Sequence, residues 1–342
     1  MKTSFKVLII KMSSLGDVLQ TTHLVSSIKK SYPDCRIDFM TGENCALLLK
    51  NNTSLRRVIS VRGFDRSGIQ AAFISLFRFL KLGLLLFSER YDYIIVLHRH
   101  FAFKCFGRLI TYKKVIAWGP PSLFFKTISF DLNNNRYDRH FDLVDKYLPL
   151  SIRDFNLTYI QNFSKPDISS PYIVIAPGGG HNNWASMPNK LWPLSGFQKL
   201  IAQMPVDYKI VLVGAKTDKN ICEQLSSKKI LNLCDKTSIV ELADVIKFAD
   251  LFIGNDSFAY YLACAVGTKA LGLFGPTNPE ILVPQMKNAF YLQSANKCLN
   301  CYNPIDSIGG LAYKCKNNDC LKLLEAETVK TKVLDILDKK QV

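Results

Sequence analysis

Three stretches of this chain, and a group of cysteines near its end, combine reactive residues at short spacings. In "KMSSLGDVLQTT" Ser13, Ser14 and Gly16 precede Asp17, between the apolar run "KVLII" and a helical pattern. A carboxylate there has two readings: a first-turn acid favoured by the helix dipole, or a general base presented at a strand end. Gly16 allows a tight turn or close backbone approach to a ligand.

In "APGGGHNNWASMPNKLWP" Gly178, Gly179 and Gly180 follow a second apolar run, and Lys190 stands ahead of Trp192-Pro193. Backbone amides of consecutive glycines can come close to a phosphate, and a lysine can neutralise a diphosphate. A solvated loop lysine is the other reading. In "IGNDSFAYY" Asn255, Asp256 and Ser257 end a strand and open a helix. They form a capping turn, or they meet phosphate and sugar hydroxyls.

Ten cysteines are present, and six of them are scattered singly. The other four, Cys298, Cys301, Cys315 and Cys320, form a C-x2-C…C-x4-C pattern. That spacing approximates a tetrathiolate site for a structural zinc or iron; two disulfides or free thiols are the alternatives. Four thiolates leave no open position, so such a metal is structural and not catalytic.

Apolar runs of strand length position these residues. They fall at 6–10, 36–40, 57–61, 91–97 and 113–118, and again at 172–177, 208–214, 229–234, 250–255 and 270–276, with helical patterns between. The alternation predicts βαβ units and parallel sheets, broken by the polar stretch 161–172. The chain therefore reads as two doubly wound domains, 1–165 and 166–342. In such sheets ligands bind beyond the carboxyl ends of the strands, where the quoted stretches lie.

Residues 1–165 hold 25 Lys/Arg against 12 Asp/Glu, and residues 166–342 hold 19 against 16, so the formal charge of +16 belongs mainly to the first half. Such an excess suits phosphate-rich partners or is a solvated basic surface. No nucleic-acid-binding motif accompanies it, no G-x-G-x-x-G or Walker loop is present, and no secretory signal opens the sequence. "AAFISLFRFLKLGLLLF" (71–87) has 17 residues and two charges. A spanning helix needs about 20, so this segment reads as a buried helix or as an interfacial one facing anionic lipid.

Taken in order, "VLIIKMSSLGDVLQTTHLVSSIKKSYPDCRIDFMTG", "IAPGGGHNNWASMPNKLWP", "LFIGNDSFAYYLACAVGTKALGLFGPTNPE" and the cysteine group resemble glycosyltransferase family 9, the lipopolysaccharide heptosyltransferases. The resemblance implies a GT-B fold, two Rossmann-like domains facing a cleft, with the final helix returning to the first domain. It implies inverting transfer from a nucleotide-activated sugar, typically ADP-heptose, to a lipopolysaccharide-core acceptor, without a catalytic metal. By this likeness Asp17 is the general base, with Ser13, Ser14 and Gly16 in the acceptor-side loop. Gly178, Gly179, Gly180, Lys190, Asn255, Asp256 and Ser257 then hold the donor. The sequence departs from the family's D-[ST]-G-P-x-H pattern, with Phe258-Ala259 in place of Gly-Pro and Tyr261 in place of His. Phenylalanine cannot replace a glycine that needs a left-handed backbone, so either the loop or the donor differs.

The partners expected are a nucleotide sugar, an anionic glycolipid or glycan, and the surface of an anionic membrane, with no nucleic acid. The expected location is cytoplasmic, peripheral on the inner face of the inner membrane. A nucleotide-sugar-binding protein without turnover is the competing class. A nucleic-acid or membrane-surface protein is a third.

Overall fold

The computed structural model describes residues 4–62, 81–98, 101–120, 123, 125–129, 131, 134–169, 171–179, 187–295, 298–302, 315 and 317–338. The chain divides into two compact units, residues 1–160 and 161–342, five residues earlier than the sequence boundary.

In the first unit the strands are β1 (Lys6–Ile10), β2 (Arg36–Gly42), β3 (Arg57–Val61), β4 (Tyr91–Val96), β5 (Thr111–Trp118) and β6 (Lys126–Ile128), in the spatial order β3-β2-β1-β4-β5-β6. In the second they are β7 (Tyr172–Ala176), β8 (Lys209–Leu212), β9 (Ile230–Asn232), β10 (Leu251–Asn255), β11 (Ala270–Leu273) and β12 (Ala289–Leu292), in the order β12-β11-β10-β7-β8-β9. Every pairing is parallel. Both orders are the doubly wound 3-2-1-4-5-6 arrangement. The strand order reverses between β1 and β4 in one unit and between β7 and β10 in the other, and at such a point a crevice opens for ligand.

The central strands are buried on both faces and carry unbroken apolar runs such as Val7 to Ile10 and Ile173 to Ala176. The last described helix, Ala326–Asp338, corrects one expectation. It stays in the second unit, where Val329, Val333 and Ile336, spaced i, i+4 and i+7, enter the core with Phe197 and Leu200 of helix Leu194–Ala202. Among the described residues no helix is long and apolar enough to cross a membrane. Of the candidate segment 71–87, only 81–87 lies within them.

Candidate functional site

At the carboxyl end of β1 the chain passes through Lys11–Ser14 into helix Leu15–Gln20, whose first turn carries Asp17. The Ser14 carbonyl accepts from Val18 N at 2.8 Å, starting the helix, while the Ser14 hydroxyl makes no cap bond. Gly16 is buried in that first turn and has no positive φ, so its left-handed freedom is not what the turn uses. Asp17 is flanked by two cations: Lys11 Nζ lies 3.0 Å from Oδ2 and Arg136 Nη1 lies 2.8 Å from Oδ1. Arg136 also donates to Gln20 Oε1 at 2.9 Å. Burial pushes the Asp17 carboxyl pKa up, but Lys11 and Arg136 together overcome this and hold it well below the usual carboxylate range. Asp17 is therefore an ionised carboxylate throughout the ordinary pH range.

Around it the sheet end is tightly built. His98, beyond β4, accepts from Met12 N through Nε2 at 2.7 Å and stacks on Phe103 with centroids 4.5 Å apart. Gly42 ends β2, and a Cβ there would stand 2.8 Å from the Met12 carbonyl oxygen. Lys104 is only 7% exposed, with its ammonium beside Gly119 at the end of β5.

In the second unit three sequence stretches meet at the reversal between β7 and β10. Asn255 Nδ2 donates to the carbonyls of Pro177 (2.8 Å) and Gly178 (3.1 Å), and its Oδ1 accepts from Trp192 N at 2.9 Å. Asn255 is fully buried and its amide is spent on these bonds, so it positions the two loops. Gly178 leaves room for Asp218, whose carboxylate a Cβ would meet at 2.1 Å. Asp218 accepts from Gly179 N (3.2 Å) and Ala215 N (2.9 Å). Gly179 has φ +104, and a Cβ there would stand 2.4 Å from that of Ser257. Gly180 lies outside the described residues.

Lys190 Nζ pairs with Asp256 Oδ2 at 2.8 Å and lies over the Tyr302 ring, 5.3 Å from its centroid. Tyr261 Oη donates to Asp256 Oδ1 at 2.8 Å, so the tyrosine standing in place of the family's histidine supports this carboxylate as a neutral donor. Burial pushes the Asp256 pKa up, but Lys190 and the hydrogen-bond donors lower it below its ordinary value. Ser257 is the N-cap residue of helix Phe258–Val266 and makes no side-chain cap bond. Phe258 is the first residue of that helix and has no positive φ, so the backbone does not require glycine there and the loop accommodates phenylalanine.

The four cysteines form no disulfide. Burial first, then the neighbouring Cys298, Cys301 and Cys315, push the Cys320 thiol up to about 11, so the four sulfurs are within electrostatic reach of one another. Among the described residues, however, no three His, Cys, Asp or Glu side chains converge closely enough to hold an ion.

Sequence reasoning did not find Lys11, Arg136, Asp218 or Tyr302. Lys11 stands six residues before Asp17, a visible signal; Arg136 is 119 residues away, with no local signal at all.

The sequence profile of glycosyltransferase family 9 (heptosyltransferase) matches residues 79–311. The chain is 25% identical over 313 residues to lipooligosaccharide heptosyltransferase 2 of Haemophilus influenzae, covering 81% of this chain and 85% of that protein. It is 27% identical over 306 residues to lipopolysaccharide heptosyltransferase 3 of Escherichia coli K12, covering 82% and 86%. The solved structure of E. coli ADP-heptose lps heptosyltransferase II superposes with a TM-score of 0.72 at 20% identity, over 97% of this chain and 98% of that one, and so shares the fold. With a profile match across most of its length and paired parallel sheets of the GT-B type, the chain belongs to glycosyltransferase family 9 and is a glycosyltransferase.

Proposed function

We propose that this enzyme moves a heptosyl group from ADP-heptose to an anionic lipopolysaccharide-core acceptor with inversion, on the cytoplasmic side of the membrane. The first unit takes the acceptor, whose negative charge its basic excess suits, and the second takes the donor. The acceptor hydroxyl attacks the anomeric carbon as the bond to the ADP oxygen breaks, and its proton passes to Asp17. Lys190, held by Asp256, the amide of Gly178 and the start of helix Phe258–Val266 meet the charge that develops on the departing diphosphate, while Asp218 holds Gly179 in the loop beside them. These are fixed donors, in place before reaction, so the leaving group is stabilised without a divalent cation.

The observation that carries this reading is a carboxylate kept ionised at the carboxyl end of β1. A carboxylate so stabilised is a weak base. It accepts the proton only as the new C–O bond forms and the hydroxyl becomes acidic. The same observation favours a second reading, a donor-binding protein without turnover. Asp17→Asn separates the two. The transferase reading expects ADP affinity and melting temperature to hold while transfer falls by about 100-fold or more, in buffer with EDTA. Undiminished transfer in that variant removes Asp17 from the chemistry; donor binding without transfer by the unmodified protein leaves the second reading standing. A structural zinc or iron on Cys298, Cys301, Cys315 and Cys320 rests on their spacing and mutual influence alone, and no step of the transfer depends on it.

A further inference from the structure

Five of the large apolar side chains exposed among the described residues stand on one pair of helices in the first unit. The helix at 81–87 packs on helix Phe101–Ile110 through Gly83, where a Cβ would touch Phe106 and Ile110 at 3.7 and 3.8 Å. With Gly83 turned to the neighbour and Leu86 buried, the helical repeat turns Lys81, Leu84 and Leu85 outward. On the partner helix Phe106 and Ile110 face inward, and Phe101, Arg108 and Leu109 face out. Leu84 is 79% exposed, and Leu85, Phe87, Phe101 and Leu109 are each exposed by between 62% and 64%. Helices that cover a sheet normally show water a polar face. Here the face is leucine and phenylalanine in a group, which scattered surface residues do not explain.

Charge says what the face fits. The two helices carry Lys81 and Arg108 exposed on the same side as the apolar residues and no acid, and the segment between them holds two acids. Both acids are engaged by cations: Glu89 pairs with Lys6, Arg56 and Arg57, and Asp92 with Lys113. No carboxylate is left to complement a second copy of the same basic face, and a two-fold pairing would bring Lys81 and Arg108 against their own like charges. An anionic bilayer supplies both halves of the match.

We propose that the outer face of helices 81–87 and Phe101–Ile110 docks on an anionic membrane surface, with Leu84, Leu85, Phe87, Phe101 and Leu109 entering the head-group boundary and Lys81 and Arg108 meeting lipid phosphates. The inference does not depend on the transferase reading. Its test is flotation of the full chain with vesicles of phosphatidylethanolamine and phosphatidylglycerol, and with vesicles of phosphatidylcholine alone, without nucleotide sugar or acceptor. The unmodified protein floats with the anionic vesicles and does so less at high salt. The double variant Leu84→Ser/Phe87→Ser lowers partitioning by about tenfold or more, since it removes two apolar side chains from the membrane boundary. Lys81→Glu/Arg108→Glu removes the preference for anionic lipid, and Val206→Ser, at a 98% exposed position of the second unit, changes nothing. All of these sites are exposed, and matched thermal melts confirm the fold. Failure of the unmodified protein to float, or equal flotation of Leu84→Ser/Phe87→Ser, overturns the proposal. So does a drop in mass by light scattering in that variant with flotation unchanged, which assigns the face to self-association. With no substrate in the vesicles, either result leaves the transfer chemistry untouched.

Discussion

Lys190 and Asp256 form an ion pair of 2.8 Å whose carboxylate is almost closed to solvent, and Tyr261 donates to the other oxygen of that carboxylate at the same distance. Asp256 thereby fixes where the Lys190 ammonium points, and Tyr261 fixes Asp256. Removing the phenol leaves a buried carboxylate oxygen one donor short, a cost of about 1–3 kcal/mol. Tyr261→Phe is therefore expected to lower the melting temperature and to weaken ADP binding several-fold by calorimetry, with a smaller effect on kcat. Tyr261→His supplies a ring N–H in the same place and is expected to recover most of the affinity. Unchanged ADP binding in Tyr261→Phe would detach the tyrosine from the donor site.

Asp17 gives a prediction in pH. Its pKa lies below the usual range because Lys11 and Arg136 outweigh burial. Arg136→Met removes one cation and leaves the burial, so the folded-state pKa must rise. The acid limb of kcat/KM then moves to higher pH, and activity at pH 5 relative to pH 8 drops further than in the unmodified enzyme. A pH profile of the two proteins decides it. An acid limb that stays in place would show that Arg136 does not tune the carboxylate.

The glycines of the second unit differ in what they require. Gly179 combines a φ of +104 with no room for a Cβ against Ser257, whereas Gly178 has no positive φ but borders Asp218, which ties Gly179 to Ala215. Gly179→Ala is expected to cost about 1–3 kcal/mol in urea denaturation, since a strained backbone and a clash coincide. Gly178→Ala displaces Asp218 and is expected to weaken ADP binding with a similar loss of stability. Wild-type stability in Gly179→Ala would mean that the loop adopts another conformation.

How far the fold was legible follows from the physics of its elements. The ten apolar runs read from the sequence all became strands: the central ones are buried on both faces and so apolar along their length, and the edge strands β3 and β9 still lie within apolar runs of five and six residues. The two that escaped, β6 and β12, are partly exposed edge strands of three and four residues; β9, no longer than β6, was legible only because the apolar run 229–234 extends beyond it. The positions of Asp17 and Asp256, just after a strand at the start of a helix, were legible, as was that of Lys190 a few residues ahead of helix Leu194–Ala202. Arg136 was not, because it reaches Asp17 from a helix more than a hundred residues along the chain, and only the tertiary fold pairs them. The final helix was misplaced by resemblance, though its own apolar spacing was sufficient to bury it in the second unit.

Stability should fall with acid in two stages, and Asp154 and His23 of the first unit contribute one to each. Asp154 accepts from Ser26 Oγ at 2.6 Å, Lys30 Nζ at 2.5 Å and Asn156 N at 3.0 Å, pinning its segment to helix Thr22–Ser31. Burial raises its pKa, but these partners bring it down to about 2. A carboxyl with a depressed folded-state pKa contributes stability above its ordinary value near 4, and loses it as pH falls from there through about 2. His23, stacked on His140 and lowered by burial to about 4, acts earlier. A base depressed by folding contributes stability above its ordinary pKa of about 6.5, and that contribution fades as pH falls from there to about 4. Urea midpoints should therefore decline first between pH 6.5 and pH 4 and then again below it. Asp154→Asn is expected to lower the midpoint at pH 7 and to flatten the second decline while leaving the first. His23→Leu is expected to shallow the first and leave the second. If Asp154→Asn instead removes the decline above pH 4, the carboxylate and the histidine have exchanged their parts in acid unfolding.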